Sequence, residues 1–197
     1  VKRVPNLDLS VYEKALVELK AKSAYWAKQP MNGIYTPHNE HPNGNTAVFK
    51  GGNNDDCVQV FNLSEDEFDS LPFGIHVEFH ENLKGKTILI NYGSDANNNV
   101  KIKNLANVYD PWGKSGWEFD SATTASILWN FYDAVQVDLG AGSTGVGEFT
   151  GSILVPNGSM KFEMPGHSGR TFVGGNLEQK YAGSEFHSYP FEPNPLD

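Results

Sequence analysis

The period of apolar and polar positions changes once along the chain, near Pro30. Before it, Tyr12, Leu16, Leu19, Ser23 and Trp26 follow one another at offsets of three and four residues, while Lys14, Glu18, Lys20, Lys22 and Lys28 fall off that stripe. The spacing predicts an amphipathic helix from about Asp8 to Lys28, stopped by Pro30. At 1.5 Å per residue it is about 30 Å long, enough to lie along several stacked rungs of a sheet and lid an open apolar wall. Ser10 and Glu13 stand at capping-box spacing, which makes Ser10 the expected cap.

From Gly33 onward the apolar residues come in short bursts between turn residues. Residues 55–63, 74–83 and 86–93 read as strands, the last stopping at Gly93, and residues 125–139 carry another β run. Residues 109–120 are aromatic but broken by Pro111, Gly113 and Gly116, and are expected to form an irregular surface segment. A weak self-similarity overlies the bursts. Gly-Ser-Ile-Leu-Val begins at Gly151 and Gly-Arg-Thr-Phe-Val begins 18 residues later at Gly169, while Ser-Ile-Leu opens at both Ser126 and Ser152. Related strand starts at Ser126, Ser152 and Arg170 imply coils of roughly 18 to 26 residues. The expected fold is therefore mainly β, a β-solenoid with one long flanking α-helix near the N-terminus; the alternative is a β-sandwich. Ile153, Val155, Phe172 and Val173 are expected to stack inward. Gly151, Gly158, Gly166, Gly169, Gly174, Gly175 and Gly183 are expected at corners that need positive φ.

Composition narrows the function classes. A chain of 197 residues holds one well-buried domain, 1–197. With 39% hydrophobic, 12% aromatic and only 20% charged residues, it suits a turn-rich β protein better than a bundle of charged helices. The formal charge of −9 repels phosphate backbones and anionic headgroups, so nucleic acid is not an expected partner. No stretch approaches the roughly 20 apolar residues that cross a bilayer as a helix, and membrane insertion is not expected. Residues 1–5 lack the apolar core of a signal peptide, which suggests a mature segment or an excised domain. Cys57 has no partner for an internal disulfide and is expected to be a half-buried small apolar side chain.

Candidate chemistry is sparse. His76, Glu78 and His80 alternate on one strand face in a way zinc could use, but the same alternation describes a solvated outer face, so no metal and no cofactor is expected. The Asn- and Asp-rich runs 51–56 and 94–99 offer oxygen ligands for calcium without matching an EF-hand loop, and turn chemistry accounts for them. Asp110, Glu118, Asp120 and Glu148 are available carboxylates, yet no spacing singles out a glycosidase pair. No nucleophile elbow or phosphate loop is present, so no catalytic residues are expected. Tyr109, Trp112 and Trp117 stand out as the expected ligand-binding residues. Aromatics on a Gly/Pro-rich loop can stack on sugar rings or cover an apolar protein patch.

The residues then carry a specific resemblance. The 7–27 helix is followed by Leu128-Trp129-Asn130-Phe131, by Gly151-Ser152-Ile153-Leu154 with Pro156-Asn157, and by a closing His187-x-x-Pro190-Phe191. This order resembles the choice-of-anchor A domain of bacterial surface proteins over residues 7–191, and its pattern is similar to ice-binding-type solenoids. The resemblance implies a non-enzymatic cell-surface adhesion module, secreted and held at the cell surface or cell wall within a larger surface or pilus protein. Its implied partners are a host or environmental ligand, glycan or matrix protein, and neighbouring domains. Family members commonly carry a β-rich stretch before the helix; this chain begins almost at the helix, so that flanking portion is expected to be missing or built differently. The alternative function is a carbohydrate-active enzyme or carbohydrate-binding module on the same coil.

Overall fold

The computed structural model describes residues 8–42, 44, 46–52, 56–64, 67–68, 75–102, 105–110, 114–115, 121–140 and 148–193. Helix α1 spans Ser10–Trp26. The expected capping box is not formed: Leu9 holds the cap position with no side-chain bond, and Ser10, already helical, donates its N–H to the Asp8 carboxylate at 2.9 Å. Strands follow in chain order, β1 Ile34–Thr36, β2 Thr46–Lys50, β3 Val58–Leu63, β4 Ile75–Phe79, β5 Thr87–Tyr92, β6 Asn99–Ile102, β7 Leu105–Asp110 and β8 Lys114–Ser115. A short helix α2, Ser121–Ser126, which the sequence pattern did not suggest, leads into β9 Ile127–Asn130 and β10 Gln136–Leu139. Then come β11 Glu148–Thr150, β12 Ser152–Val155, β13 Ser159–Phe162 and β14 Gly166–Gly169. The last are β15 Thr171–Val173, β16 Leu177–Gln179 and β17 Glu185–Ser188.

The fold is mainly β, as expected, and its pairing is overwhelmingly parallel. One sheet runs β3-β5-β9-β12-β15 and a second β6-β10-β13-β16. The third set holds β2-β4-β7 and β11-β14-β17, with β7 packed beside β11. Among the described residues, antiparallel pairs occur only where β1 joins β2 and where β8 joins β7. From β4 to β7 the chain visits the third, first and second sets and returns to the third, and from β9 to β17 it repeats the same rotation.

The 18-residue offset is a pairing register. Ile153 lies opposite Thr171 and Val155 opposite Val173, and the Arg170 N–H donates to the Ser152 hydroxyl. The two Ser-Ile-Leu triplets do not align: Ser152 faces Leu128, and Ile153 faces Trp129. Because side chains alternate with a period of two, that two-residue slip keeps the same face inward. Phe61, Ile90, Trp129 and Ile153 thus form one inward column, each fully buried. Phe172 is a correction. It pairs with Leu154 on the outer face and is 42% exposed. Gly151 needs its glycine twice over, with φ at 99° and a Cβ that would meet Ile127 Cγ2 at 2.5 Å. Gly158 has no positive φ. It is small because a Cβ there would lie 2.5 Å from the Ala134 carbonyl oxygen. Cys57 is exposed rather than half-buried.

The outer face of the first sheet carries Val60, Leu89, Leu128 and Leu154, and Trp26 packs on them with Leu19 and Phe191. Helix α1 therefore covers this face. Ser23 and Trp26 are buried and Leu16 and Leu19 half-buried, but Tyr12 at the head of the expected stripe is 72% exposed. Beside the apolar row runs an asparagine row, Asn62, Asn91 and Asn130, in register on β3, β5 and β9. Asn130 Nδ2 donates to the Asn91 side-chain oxygen at 2.8 Å, and Asn91 Nδ2 to that of Asn62 at 2.9 Å. The same amides donate to the helix end: Asn130 to the Ser23 carbonyl, Asn91 to that of Trp26, and Asn62 to that of Gln29. The Ser23 hydroxyl returns a bond to Asn130 Oδ1. The Ser23 and Trp26 carbonyls also accept the backbone N–H groups of Ala27 and Gln29, so the asparagine amides are second donors to them.

Inside the third set, His167 lies between Phe149 and Phe186 and is fully buried. Its Nε2–H donates to the Gly151 carbonyl at 2.9 Å, which leaves Nδ1 to accept from the Thr171 hydroxyl at 3.3 Å. Burial is the main cause that lowers its pKa to about 4; His187 adds to the lowering and the Gly151 bond opposes it.

Two outcomes follow for stability. Asn130→Ala orphans buried groups on Ser23 and Asn91 and is expected to cost about 2–5 kcal/mol by urea unfolding, whereas Asn62→Ala, at an exposed position, costs less than about 1 kcal/mol. For His167 the folded pKa lies below the unfolded value, so the unfolded chain takes up the proton first. Stability is then lost as pH falls from about 6.5 to about 4, by roughly 3 kcal/mol in all. His167→Gln is expected to flatten that part of the urea-midpoint profile.

Candidate ligand-binding surface

Strand β7 lies parallel to β4, with Glu78 opposite Tyr109, and pairs antiparallel with β8 through Tyr109–Ser115 and Asp110–Lys114. The stretch expected to be irregular is therefore strand at 109–110 and 114–115. Tyr109 is placed by its backbone only; its side chain, Trp112 and Trp117 lie outside the described residues, as do Glu118 and Asp120.

The candidate metal positions resolve into local structure where they are described. His80 follows β4, and its Nδ1 accepts the Asn82 N–H at 3.3 Å, capping a single 3-10 turn at Glu81–Leu83. The His76 side chain lies outside the described residues. Asp95 Oδ1 accepts the N–H groups of Asn97 and Asn99, each at 2.8 Å, and Asn98 adopts φ 58°. That is an Asx-type turn, as the composition implied. Among the described residues no group of three His, Cys, Asp or Glu side chains is arranged to hold a metal ion.

A groove of about 610 Å³ that the sequence did not signal opens where β3, β5 and β9 end, lined by Asn62, Ser64, Ser94, Asp95, Tyr132 and Asp133, among others. The Tyr132 hydroxyl lies over Gly93, where a Cβ would stand 3.1 Å from it. Burial, followed by the neighbouring Asp133 charge, raises the Tyr132 pKa, which keeps the phenol a donor at neutral pH. Asp133 Oδ1 accepts the Ser94 N–H at 3.1 Å, which fixes the carboxylate, and the Ser94 hydroxyl is buried with no partner among the described residues. Fixed acceptors beside a phenol suit hydrogen bonding to a hydroxyl-rich ligand. The pairs 94–95 and 132–133 meet only through strand register, 39 residues apart, so no local motif marks them.

On the outer face of the third set, Glu148 lies over Gly166, where a side chain would strike its carboxylate at 2.7 Å. Glu148 accepts the Ser168 hydroxyl at 3.3 Å, and His187 Nε2 stands 3.6 Å from both the Glu148 and Glu185 carboxylates. Of the four carboxylates considered from sequence, only the Glu148 side chain is described, and it sits in this polar cluster.

Comparison with known proteins agrees with an adhesive role. No curated protein and no solved structure matches the chain. One family model does match, across residues 2–188. Since that span takes in both the helix and the parallel sheets, the chain belongs to the family described as "Putative Ice-binding-like adhesive domain".

Proposed function

We propose that this adhesive domain is a non-enzymatic module of a bacterial cell surface, carried within a larger surface or pilus protein, and that it holds a glycan or matrix protein of a host or environmental surface. The family match over residues 2–188 carries the adhesive part of that reading. The rotation of the chain through three parallel sets supports a β-solenoid, each coil giving one strand to each set. A sandwich of antiparallel sheets has no such rotation. Within the adhesive family, the motifs at Leu128–Phe131, Gly151–Asn157 and His187–Phe191 favour the choice-of-anchor A type.

The proposed contact residues are Tyr109, Trp112 and Trp117. The β7–β8 pairing supports this by giving Tyr109 a paired-strand base, and a rigid aromatic platform loses little entropy on binding. A carbohydrate-binding module is the second reading, favoured by the orphan Ser94 hydroxyl and the fixed Asp133 acceptor in the corner groove.

A glycan and matrix-protein array, with a polysaccharide-turnover assay in parallel, tests these readings. Selective retention without product release is expected, weakened about tenfold or more by replacing Trp112 and Trp117 with Ala. If Tyr132→Ala weakens retention instead, the contact moves to the corner groove. Product release from any polysaccharide overturns the non-enzymatic reading, and retention on nothing overturns adhesion.

A further inference from the structure

The two ends of the parallel sets are finished differently. At the β3 end, the edge is already paired. The Val60 carbonyl accepts the N–H groups of Asn32 and Gly33 at 3.2 and 3.1 Å, and the Asn32 side chain acts as a short strand, accepting the Val60 N–H at 2.7 Å and donating to the Val58 carbonyl at 3.0 Å. Gly33 lies against the Phe61 ring, and β1 covers the edge of β2. The backbone edges of β3 and β2 are thus paired there.

At the other end, β15, β16 and β17 are the outermost strands of their sheets. The Ile153 N–H bonds the Arg170 carbonyl and the Gly174 N–H bonds the Val155 carbonyl. Parallel alternation then turns the N–H and C=O groups of Thr171 and Val173 away from β12, toward the open side. Columns that are buried one strand earlier end uncovered. Leu177 is 48% exposed opposite Met160 at 1%, and Phe186 is 37% exposed opposite His167 at 0%. The described residues after β17 do not cross this end. Phe191 returns to the Trp26 cluster, and the Glu192 N–H bonds the Ala125 carbonyl ahead of β9.

Helix α1 overshoots the same edge. Its 17 residues span about 25 Å, whereas the five strands beneath it are about 19 Å from first to last. The overhang, with β15, walls an apolar slot of about 490 Å³ that includes Leu9, Tyr12, Leu16, Phe172 and Glu13.

We propose that this slot takes an extended segment of a partner polypeptide as a further strand on β15, with apolar residues on both of its faces and basic residues at its ends. The free groups of Thr171 and Val173 supply the main-chain ladder. Side chains on one face of the added strand enter the pocket under the overhang, and those on the other cover Val173, Leu177 and Phe186. A strand buried on both faces reads as an unbroken Val/Ile-type run rather than an alternating one. The charge of −9, with Glu13 in the slot wall, selects Lys or Arg at the flanks. This inference deepens the adhesive reading by naming one class of ligand.

Fluorescence anisotropy with a labelled peptide of five Val/Ile residues between lysine pairs tests it. Saturable binding is expected. It should fall at least about tenfold when the central residue of the peptide is Pro, which removes a ladder donor, or when the flanks are Glu. Phe172→Glu in the protein should do the same while leaving the urea midpoint unchanged, because Phe172 is already 42% exposed. Absence of saturable binding, or binding indifferent to both Phe172→Glu and the Pro peptide, overturns the proposal. So does a concentration-dependent dimer in light scattering that Phe172→Glu abolishes, since a second copy then fills the slot. Binding that emerges only after deleting residues 1–7 overturns it as well, in favour of the chain's own segment. Retention on the glycan array without peptide binding removes this inference and leaves the adhesive reading standing.

Discussion

The match between the rise of a helix and the spacing of parallel strands organises this molecule. Three residues of α-helix advance about 4.5 Å, and neighbouring strands stand about 4.8 Å apart. A helix laid across the strands therefore presents positions i, i+3 and i+6 to consecutive rungs. Ser23, Trp26 and Gln29 are spaced in that way, and their carbonyls receive amides from Asn130, Asn91 and Asn62 on three adjacent strands. The arrangement gives the Ser23 and Trp26 carbonyls a second donor and leaves the buried amides of Asn91 and Asn130 paired against an apolar face. It also fixes where the helix sits along the stack, because a shift of one rung would set Leu128 and Leu154 against the wrong turn of helix.

The parallel sets impose a second constraint, that the space along each inward column be filled without voids. Phe61, Ile90, Trp129 and Ile153 vary in size, and the rings of Phe49, Phe68 and Phe149 fill the space around Trp129. The Trp129 indole N–H is satisfied by the Thr150 carbonyl at 2.9 Å, so the largest core side chain carries no buried orphan donor. His167 is tolerated because both ring nitrogens find partners while it is neutral, which ties the last strands of the third set to neutral pH.

These constraints explain what was legible in the sequence. The helix stripe from Leu16 to Trp26 was visible because it packs on a sheet; it failed at Tyr12 because the strands beneath it run out at β15. The 18-residue repeat was visible because Ile153 and Thr171 pair in register. The triplets at Ser126 and Ser152 misled because a stack conserves faces rather than words, and a slip of two residues leaves every face intact. Phe172 was placed inward on hydrophobicity alone, although the outer face of this sheet is apolar too, being covered by a helix. The corner groove was invisible because Asp133 meets Ser94 only after the chain has travelled once around.

Parallel sheets that stay open, as these do, present an edge at both ends. At one end a single asparagine, Asn32, imitates the missing strand with its side chain, and Gly33 gives the Phe61 ring room to seal the core. At the other end Phe191, after the last strand, packs in the cluster that holds the helix. The helix so held is longer than the sheet it covers. Stability at the covered face and openness at the last strand are thus consequences of one allocation of residues, and the β15 edge lacks a strand beside it among the described residues.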